Sequence, residues 1–225
     1  MKLLEHLLST DPAAPRLTVY NETTGARLDF SAQTLDNWAS KIANMLVEEL
    51  DLTPGQAIAV DLPASWQAAV TVLGALAARI EPQLIGAEHA GSVAACFTTL
   101  ERHDAWAAKG VETVLVSKDP FGRGIEESGG ELPDDSLDFG PIVRFYGDQY
   151  FGDAPRLDEA ITPTTADRVL AQGWETYEQL TDAVLAPLAA GGSSVIVTGT
   201  ASTERIAEIA ENEKVTLQIS PTKLL

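Results

Sequence analysis

Cations are scarce in this sequence: 15 lysines and arginines stand against 33 aspartates and glutamates, a net charge of −18 at neutral pH. A surface of that sign repels phosphate backbones and excludes nucleic acid as a partner. The acidity serves solubility; a basic partner protein is the sharper reading, and the charge names none. Cysteine is almost missing. Cys96 stands alone, so no internal disulfide can form, and a reducing cytoplasm is the expected compartment. Long uncharged apolar runs are missing too, and no membrane span is expected. The most apolar helical stretch, Ala64 to Ile80, is too short for a bilayer. The opening MKLLEHLLSTD is broken by Glu5 and His6 and does not read as a secretory signal. The three histidines, His6, His89 and His103, lack the spacing of metal ligands, so no metal is expected. No repeat of fixed period is present.

What the sequence has is an apolar fraction of 45%, enough to fill a sizeable core. The chain is organised around Pro54 to Gly86, PGQAIAVDLPASWQAAVTVLGALAARIEPQLIG. Gln56 to Leu62 reads as a strand that Pro63 stops. Ser65 is a candidate N-cap, because its hydroxyl can accept a free amide of the next turn. Trp66, Ala69, Val70, Leu73, Leu76, Ala77 and Ile80 follow at helical spacing. Glu81-Pro82 ends the helix, and Gln83 to Gly86 returns as a short parallel strand. Strand, helical crossover and parallel strand make the unit of a buried α/β sheet.

The rest keeps that rhythm. Lys2 to Leu8 reads as a short amphipathic helix. Arg16 to Tyr20 and Ala26 to Phe30 read as a hairpin around the turn Asn21 to Gly25. A helix capped by Ser31 runs to about Leu50. Val93 to Phe97, a helix over Leu100 to Lys109, and Val111 to Ser117 continue the alternation. Lys118 to Pro141 breaks it with five glycines, three prolines and many acids, as a surface excursion or linker would. Asp138 to Tyr150 reads as a short helix or irregular segment, fastened to the core by Phe139, Val143, Phe145, Tyr146, Tyr150 and Phe151. A second group follows: a strand over Asp167 to Leu170, a helix over Tyr177 to Ala190, a strand over Ser193 to Thr198, a helix from Ser202 to Asn212, and a strand over Val215 to Ile219. The expected fold is α/β, mostly parallel and doubly wound, with helices on both faces. The expected organisation is one domain over 1–225, with βα groups at 16–117 and 164–225 around a variable excursion at 118–163.

Two segments together carry a family likeness. Leu28 to Leu84 holds an Ala- and Leu-rich helix, then Pro54-Gly55-Gln56-Ala57-Ile58-Ala59-Val60, then Pro63-Ala64-Ser65-Trp66. Later come Asp167-Arg168-Val169-Leu170, Leu185-Ala186-Pro187-Leu188-Ala189-Ala190-Gly191-Gly192, Ser194-Val195-Ile196-Val197, Glu213-Lys214-Val215-Thr216 and Ser220-Pro221-Thr222. In this order the segments resemble the acyl-CoA synthetases and related AMP-forming ligases, over roughly half the chain. The resemblance implies part of the large N-terminal domain of those enzymes. Between the two segments the family places a phosphate loop, Ser-Gly-Thr-Thr-Gly-x-Pro-Lys-Gly, which cradles ATP with amides and hydroxyls. Here Glu127-Ser128-Gly129-Gly130 lacks the threonine pair and the lysine, and Thr162-Pro163-Thr164-Thr165-Ala166 lacks glycine and lysine. The family's adenine and ribose motifs and its catalytic lysine would fall beyond Leu225.

Adenylate formation needs phosphate charge neutralised in the transition state. The reading is therefore an acyl-CoA-synthetase-like protein without adenylating activity of its own, binding a small acyl or nucleotide ligand. ATP, AMP or CoA are cofactors only as the resemblance implies them, and no catalytic residue is assigned. Two alternatives stay open. One is a ligase component active only with a partner chain; the other is a structural or interaction subunit, such as a homo-oligomer.

Four residues are candidates for a ligand site. His89 lies in a polar loop just past a strand end, where α/β sheets bind ligands. Trp174 and Tyr177 stand where the family lines its acyl pocket, and Thr198 ends the Ser193 to Thr198 strand. Core or rim packing is the plainer account of the aromatics, and a surface position that of the histidine. Cys96 reads as buried and inert. Gly122-Arg123-Gly124 is only a fragment of a dinucleotide loop, and Asp134, Asp135 and Asp138 lack calcium-loop spacing.

Overall fold

The computed structural model describes residues 1–219; the expectation at Ser220-Pro221-Thr222 lies outside them. A 3-10 turn (Lys2–Leu4) enters α1 (Glu5–Thr10), with Leu3, Leu4 and Leu7 buried. β1 (Pro15–Asn21) and β2 (Ala26–Ser31) form the expected hairpin. Its turn closes because Asn21 Oδ1 accepts the amides of Thr23 and Thr24, at 3.0 and 3.1 Å. α2 (Ala32–Glu48) begins where Ser31 Oγ accepts the Thr34 amide at 3.1 Å. β3 (Ala57–Asp61), α3 (Trp66–Ala77) and β4 (Glu81–Gln83) form the central unit. β5 (Ala95–Thr98), α4 (His103–Ala107) and β6 (Glu112–Leu115) continue it. β7 (Ser136–Asp138), α5 (Phe139–Phe145) and α6 (Leu157–Ala160) lead to β8 (Arg168–Ala171). α7 (Tyr177–Leu180), a π turn (Thr181–Leu185) and α8 (Ala186–Ala189) make one continuous helical run. β9 (Ser193–Thr198), α9 (Thr203–Asn212) and β10 (Leu217–Ile219) complete the described chain.

The strands form two five-stranded sheets. One has the order β4-β3-β5-β6-β7 and is parallel throughout. Its order reverses between β3 and β5, as a doubly wound sheet requires. The other has the order β10-β8-β9-β1-β2 and is parallel except for the hairpin strand β2. The chain packs as two compact units. The parallel sheet belongs to one, made of Met1, 36–63 and 70–155; the mixed sheet belongs to the other, made of 2–35, 64–69 and Arg156 onward.

Alternation along the strands explains both cores. In the parallel sheet Ala59 and Cys96 face Trp106 of α4, with Ala87 beside them. Phe97, adjacent to Cys96, turns the other way and meets Phe139 edge-on at 6.1 Å, and Trp38 of α2 stacks on Phe139 at 6.5 Å. The Trp106 indole donates to Asp61 Oδ2 at 2.9 Å, so a buried donor and a buried acid satisfy each other. α3 is buried on nearly every side, which explains why its sequence is apolar around the whole circumference. It crosses α2 at Gly74, where a Cβ would lie 2.5 Å from Ile42 Cγ2. Only glycine lets these two helices approach so closely.

Three local expectations need correction. The strand after α3 begins at Glu81, not at Gln83, and runs through Pro82. Arg79 takes the left-handed conformation (φ 57°) and ends the helix before the proline acts. Pro82 is tolerated because β4 is an edge strand and one side of it needs no ladder donor. Second, Phe145 and Phe151 fasten nothing; each is 89% exposed, while Phe139 and Val143 are buried. Third, the glycine-rich excursion is tied down. Ile125 N–H donates to Asp138 Oδ2 at 2.8 Å, Gly124 N–H donates to Glu127 at 2.7 Å, and Arg144 pairs with Glu127 at 2.6 Å. Ser136–Asp138 then supplies the fifth strand of the parallel sheet, which its sequence did not announce.

Candidate functional site

In the unit built on the mixed sheet, a cleft of about 550 Å³ opens beside β8 and β10. That is the size range of small-molecule sites. Its floor is Val169 and Ala171 of β8 with Leu217 and Ile219 of β10. These residues alternate along paired strands, Leu217 opposite Val169 and Ile219 opposite Ala171, so all four side chains share a face. Leu170, between the two floor residues, faces the other way and packs with Ile206, Ile209 and Ala210 of α9. One wall is helical: Gln179 from α7, and Asp182 and Ala183 from the π turn. Thr164, Thr165 and Gly173 complete the rim.

The helical wall is irregular for a reason written in its sequence. Pro187 has no N–H, so the α-helical donor for the Ala183 carbonyl is missing. A wider π turn precedes the proline, with the Ala186 amide reaching back to the Thr181 carbonyl. Such turns recur at functional sites. The helical run is started by Thr176, whose hydroxyl accepts the Gln179 amide at 3.2 Å. Gln179 Oε1 in turn accepts the Glu175 amide at 2.7 Å.

The cleft's electrostatics are one-sided. Among the described residues that line it there is no lysine, arginine or histidine, and Asp182 carries the single formal charge. The neighbouring cation in sequence, Arg168, lies on the opposite face of β8. There it donates to Thr18 Oγ1 at 2.8 Å and pairs with Glu213 at 2.5 Å. At the rim, Thr165 donates to Asp167, which also accepts from Thr216 at 2.8 Å; these bonds hold the Asp167 carboxyl below its usual range.

The four candidates fall around this cleft or away from it, and none of them lines it. Trp174 is 7% exposed and follows the rim residue Gly173; its indole nitrogen is buried without a hydrogen-bond partner. Tyr177 opens α7, half-buried, two residues before Gln179. Thr198 ends β9, and its hydroxyl donates to the Tyr20 carbonyl at 3.2 Å, a bond that stitches β9 to β1. His89 belongs to the other unit, exposed in a 3-10 turn (Ala87–His89), with Nδ1 3.2 Å from Glu88 Oε1.

The remaining candidates have structural surroundings. His6 Nε2 lies 2.8 Å from the Leu188 carbonyl. His103 is buried, with Nδ1 3.4 Å from Asp104 and Nε2 3.6 Å from Asp135. Cys96 is buried, and burial, with the Asp61 carboxylate adding to it, pushes its thiol well above the ordinary range. Asp138 accepts a loop amide, and Arg123 between its two glycines pairs with Asp119 at 2.8 Å. Among the described residues no group of three or more His, Cys, Asp or Glu side chains is placed to hold a metal.

Sequence reasoning missed the cleft's own residues. Half of the signal for the floor was present: Leu217 and Ile219 alternate with the polar Gln218, while Val169 and Ala171 sit in an unbroken apolar run. The signal for the wall was a proline inside a predicted helix, whose consequence depends on the tertiary setting.

No protein-family model matches the chain. It is similar to an acyl-CoA synthetase of Brucella canis, with a TM-score of 0.70 and 16% identity, over 94% of this chain and 45% of that one. It is similar to the anthranilate CoA ligase AuaEII, solved with anthranoyl-AMP, with a TM-score of 0.70 and 12% identity over 96% and 48%. It is similar also to an acetoacetyl-CoA synthetase of Streptomyces lividans, with a TM-score of 0.71 and 18% identity over 96% and 42%. At such identities the likeness is one of fold, and the chain spans less than half the length of each of these solved structures. A curated protein of Mycobacterium tuberculosis, described as a TIGR03089 family protein, is 37% identical over 218 residues, covering 87% of each chain. The chain therefore belongs to the TIGR03089 family, and its fold is that of part of an acyl-CoA synthetase.

Proposed function

We propose that this chain is a small-molecule-binding protein built on the synthetase scaffold, which takes a small ligand with an apolar body in the cleft beside β8 and β10 and does not form adenylates by itself. The observation that carries the reading is the cleft's lining: an apolar floor with a few polar groups on its rim and, among the described residues, no cation. An ATP site needs amides and positive charge around the phosphates. Neither Glu127-Ser128-Gly129-Gly130 nor Thr162-Pro163-Thr164-Thr165-Ala166 supplies the family's loop. Beside this lining, Trp174 follows the rim residue Gly173 and Tyr177 opens the helix that forms the wall.

Titration calorimetry of the 225-residue chain with 1-hexanol, ATP, AMP and acetyl-CoA tests it. The neutral apolar probe is expected to give saturable heat, and ATP none. Silence with all four ligands would remove the binding reading.

A second reading is favoured by the coverage of 42–48% against the solved synthetases. On that reading a partner chain supplies the phosphate loop and the lysine, and adenylation needs both chains. Affinity capture followed by a pyrophosphate-release assay on the recovered complex distinguishes the two.

A further inference from the structure

We infer that the cleft beside β8 and β10 selects ligands whose polar end is a cation or a hydrogen-bond donor, such as a primary ammonium on an alkyl body, and discriminates against carboxylates and phosphates. This rests on the binding reading above and specifies the chemistry of the ligand's head group.

The polar side chains around the cleft are Asp182, Gln179, Thr164 and Thr165, and the one charge among these described residues is negative. Asp182 brings a full negative charge to the helical wall. Thr164 and Thr165 add hydroxyls at the rim, and hydroxyls both donate and accept. No described lining residue is a lysine, arginine or histidine. Arg168 points away and is held by Glu213 on the opposite face of β8. An anionic head group entering the cleft would therefore lose hydration without gaining a counter-charge, while an ammonium would gain one from Asp182. The chain's net charge of −18 acts in the same direction, enriching cations near the surface and repelling anions. The floor of Val169, Ala171, Leu217 and Ile219 would bury the alkyl body whatever its head.

Three six-carbon probes separate body from head: hexylammonium, 1-hexanol and hexanoate, titrated into the full-length chain at low ionic strength. Hexylammonium is expected to bind about tenfold more tightly than hexanoate, with hexanol between them. The gap should shrink as salt is raised. Asp182→Asn should bring hexylammonium close to hexanol. Leu217→Lys, at an exposed floor position, should reverse the preference toward hexanoate. Hexanol binding with hexanoate equal to or tighter than hexylammonium would overturn the head-group inference and leave the binding reading standing. An unchanged ratio in Asp182→Asn would overturn it as well. No heat with any of the three probes would overturn both.

Discussion

Tyr20 Oη donates a hydrogen bond to Glu213 Oε1 at 2.6 Å, joining β1 to the end of α9 across 193 positions of sequence. Arg27 and Arg205 both lie over the Tyr20 ring, 5.5 and 5.7 Å from its centroid. Arg27 and Arg168 both pair with Glu213. One carboxylate thus ties β1, β2, β8 and α9 together on the face of the mixed sheet opposite the cleft. Burial raises the Glu213 carboxyl, but hydrogen bonds from Tyr20, Arg27 and Arg168 outweigh it and hold the group below the ordinary glutamate value.

The first prediction follows from that sign. A carboxyl depressed in the folded state adds stability above its unfolded value, near pH 4.3, and loses it as the pH falls through the folded value. Glu213→Gln should cost about 1.5–3 kcal/mol at pH 7. It should cost progressively less below about pH 4. Urea unfolding midpoints at both pH values, for the native chain and the variant, check this. An equal cost at both would contradict it.

The close passage of α2 and α3 gives the second. Gly74→Ala would place a methyl 2.5 Å from Ile42 Cγ2 and 2.6 Å from its Cβ, so rotating the isoleucine cannot relieve the clash. The expected destabilisation is about 1–3 kcal/mol. Adding Ile42→Gly should cost less than the sum of the two single changes, because only glycine at 42 removes both the Cγ2 and the Cβ that the new methyl meets. Additive costs in chemical unfolding would show that the helices do not meet there.

Surface aromatics give the third. Phe145→Ser and Phe151→Ser should each change unfolding free energy by no more than about 0.5 kcal/mol. Phe139→Ala, in the core between Trp38 and Phe97, should cost about 3–5 kcal/mol. A large cost at Phe145 or Phe151 would show a packing role that their exposure denies.

These residues show what the sequence could and could not disclose. Ser31, Ser65 and Ser202 act as the caps their positions implied, because capping is a local bond between neighbours. β3, β8 and β9 were legible because fully buried strands carry unbroken apolar runs. Ser136–Asp138 was not, since a three-residue strand is made by its partner β6 and by the Asp138 bond to Ile125. Phe145 and Phe151 misled because hydrophobic identity alone does not decide burial. The cleft was hidden for a related reason: it depends on the pairing of β8 with β10 and on where the π turn falls.

We propose that this chain keeps a synthetase scaffold and binds without adenylating. Exchange of labelled pyrophosphate into ATP, run on the purified chain with magnesium and a panel of carboxylic acids, tests it most directly. The predicted result is exchange no faster than the protein-free blank with every acid. Acid-dependent exchange by the chain alone, abolished when the protein is unfolded, would contradict it.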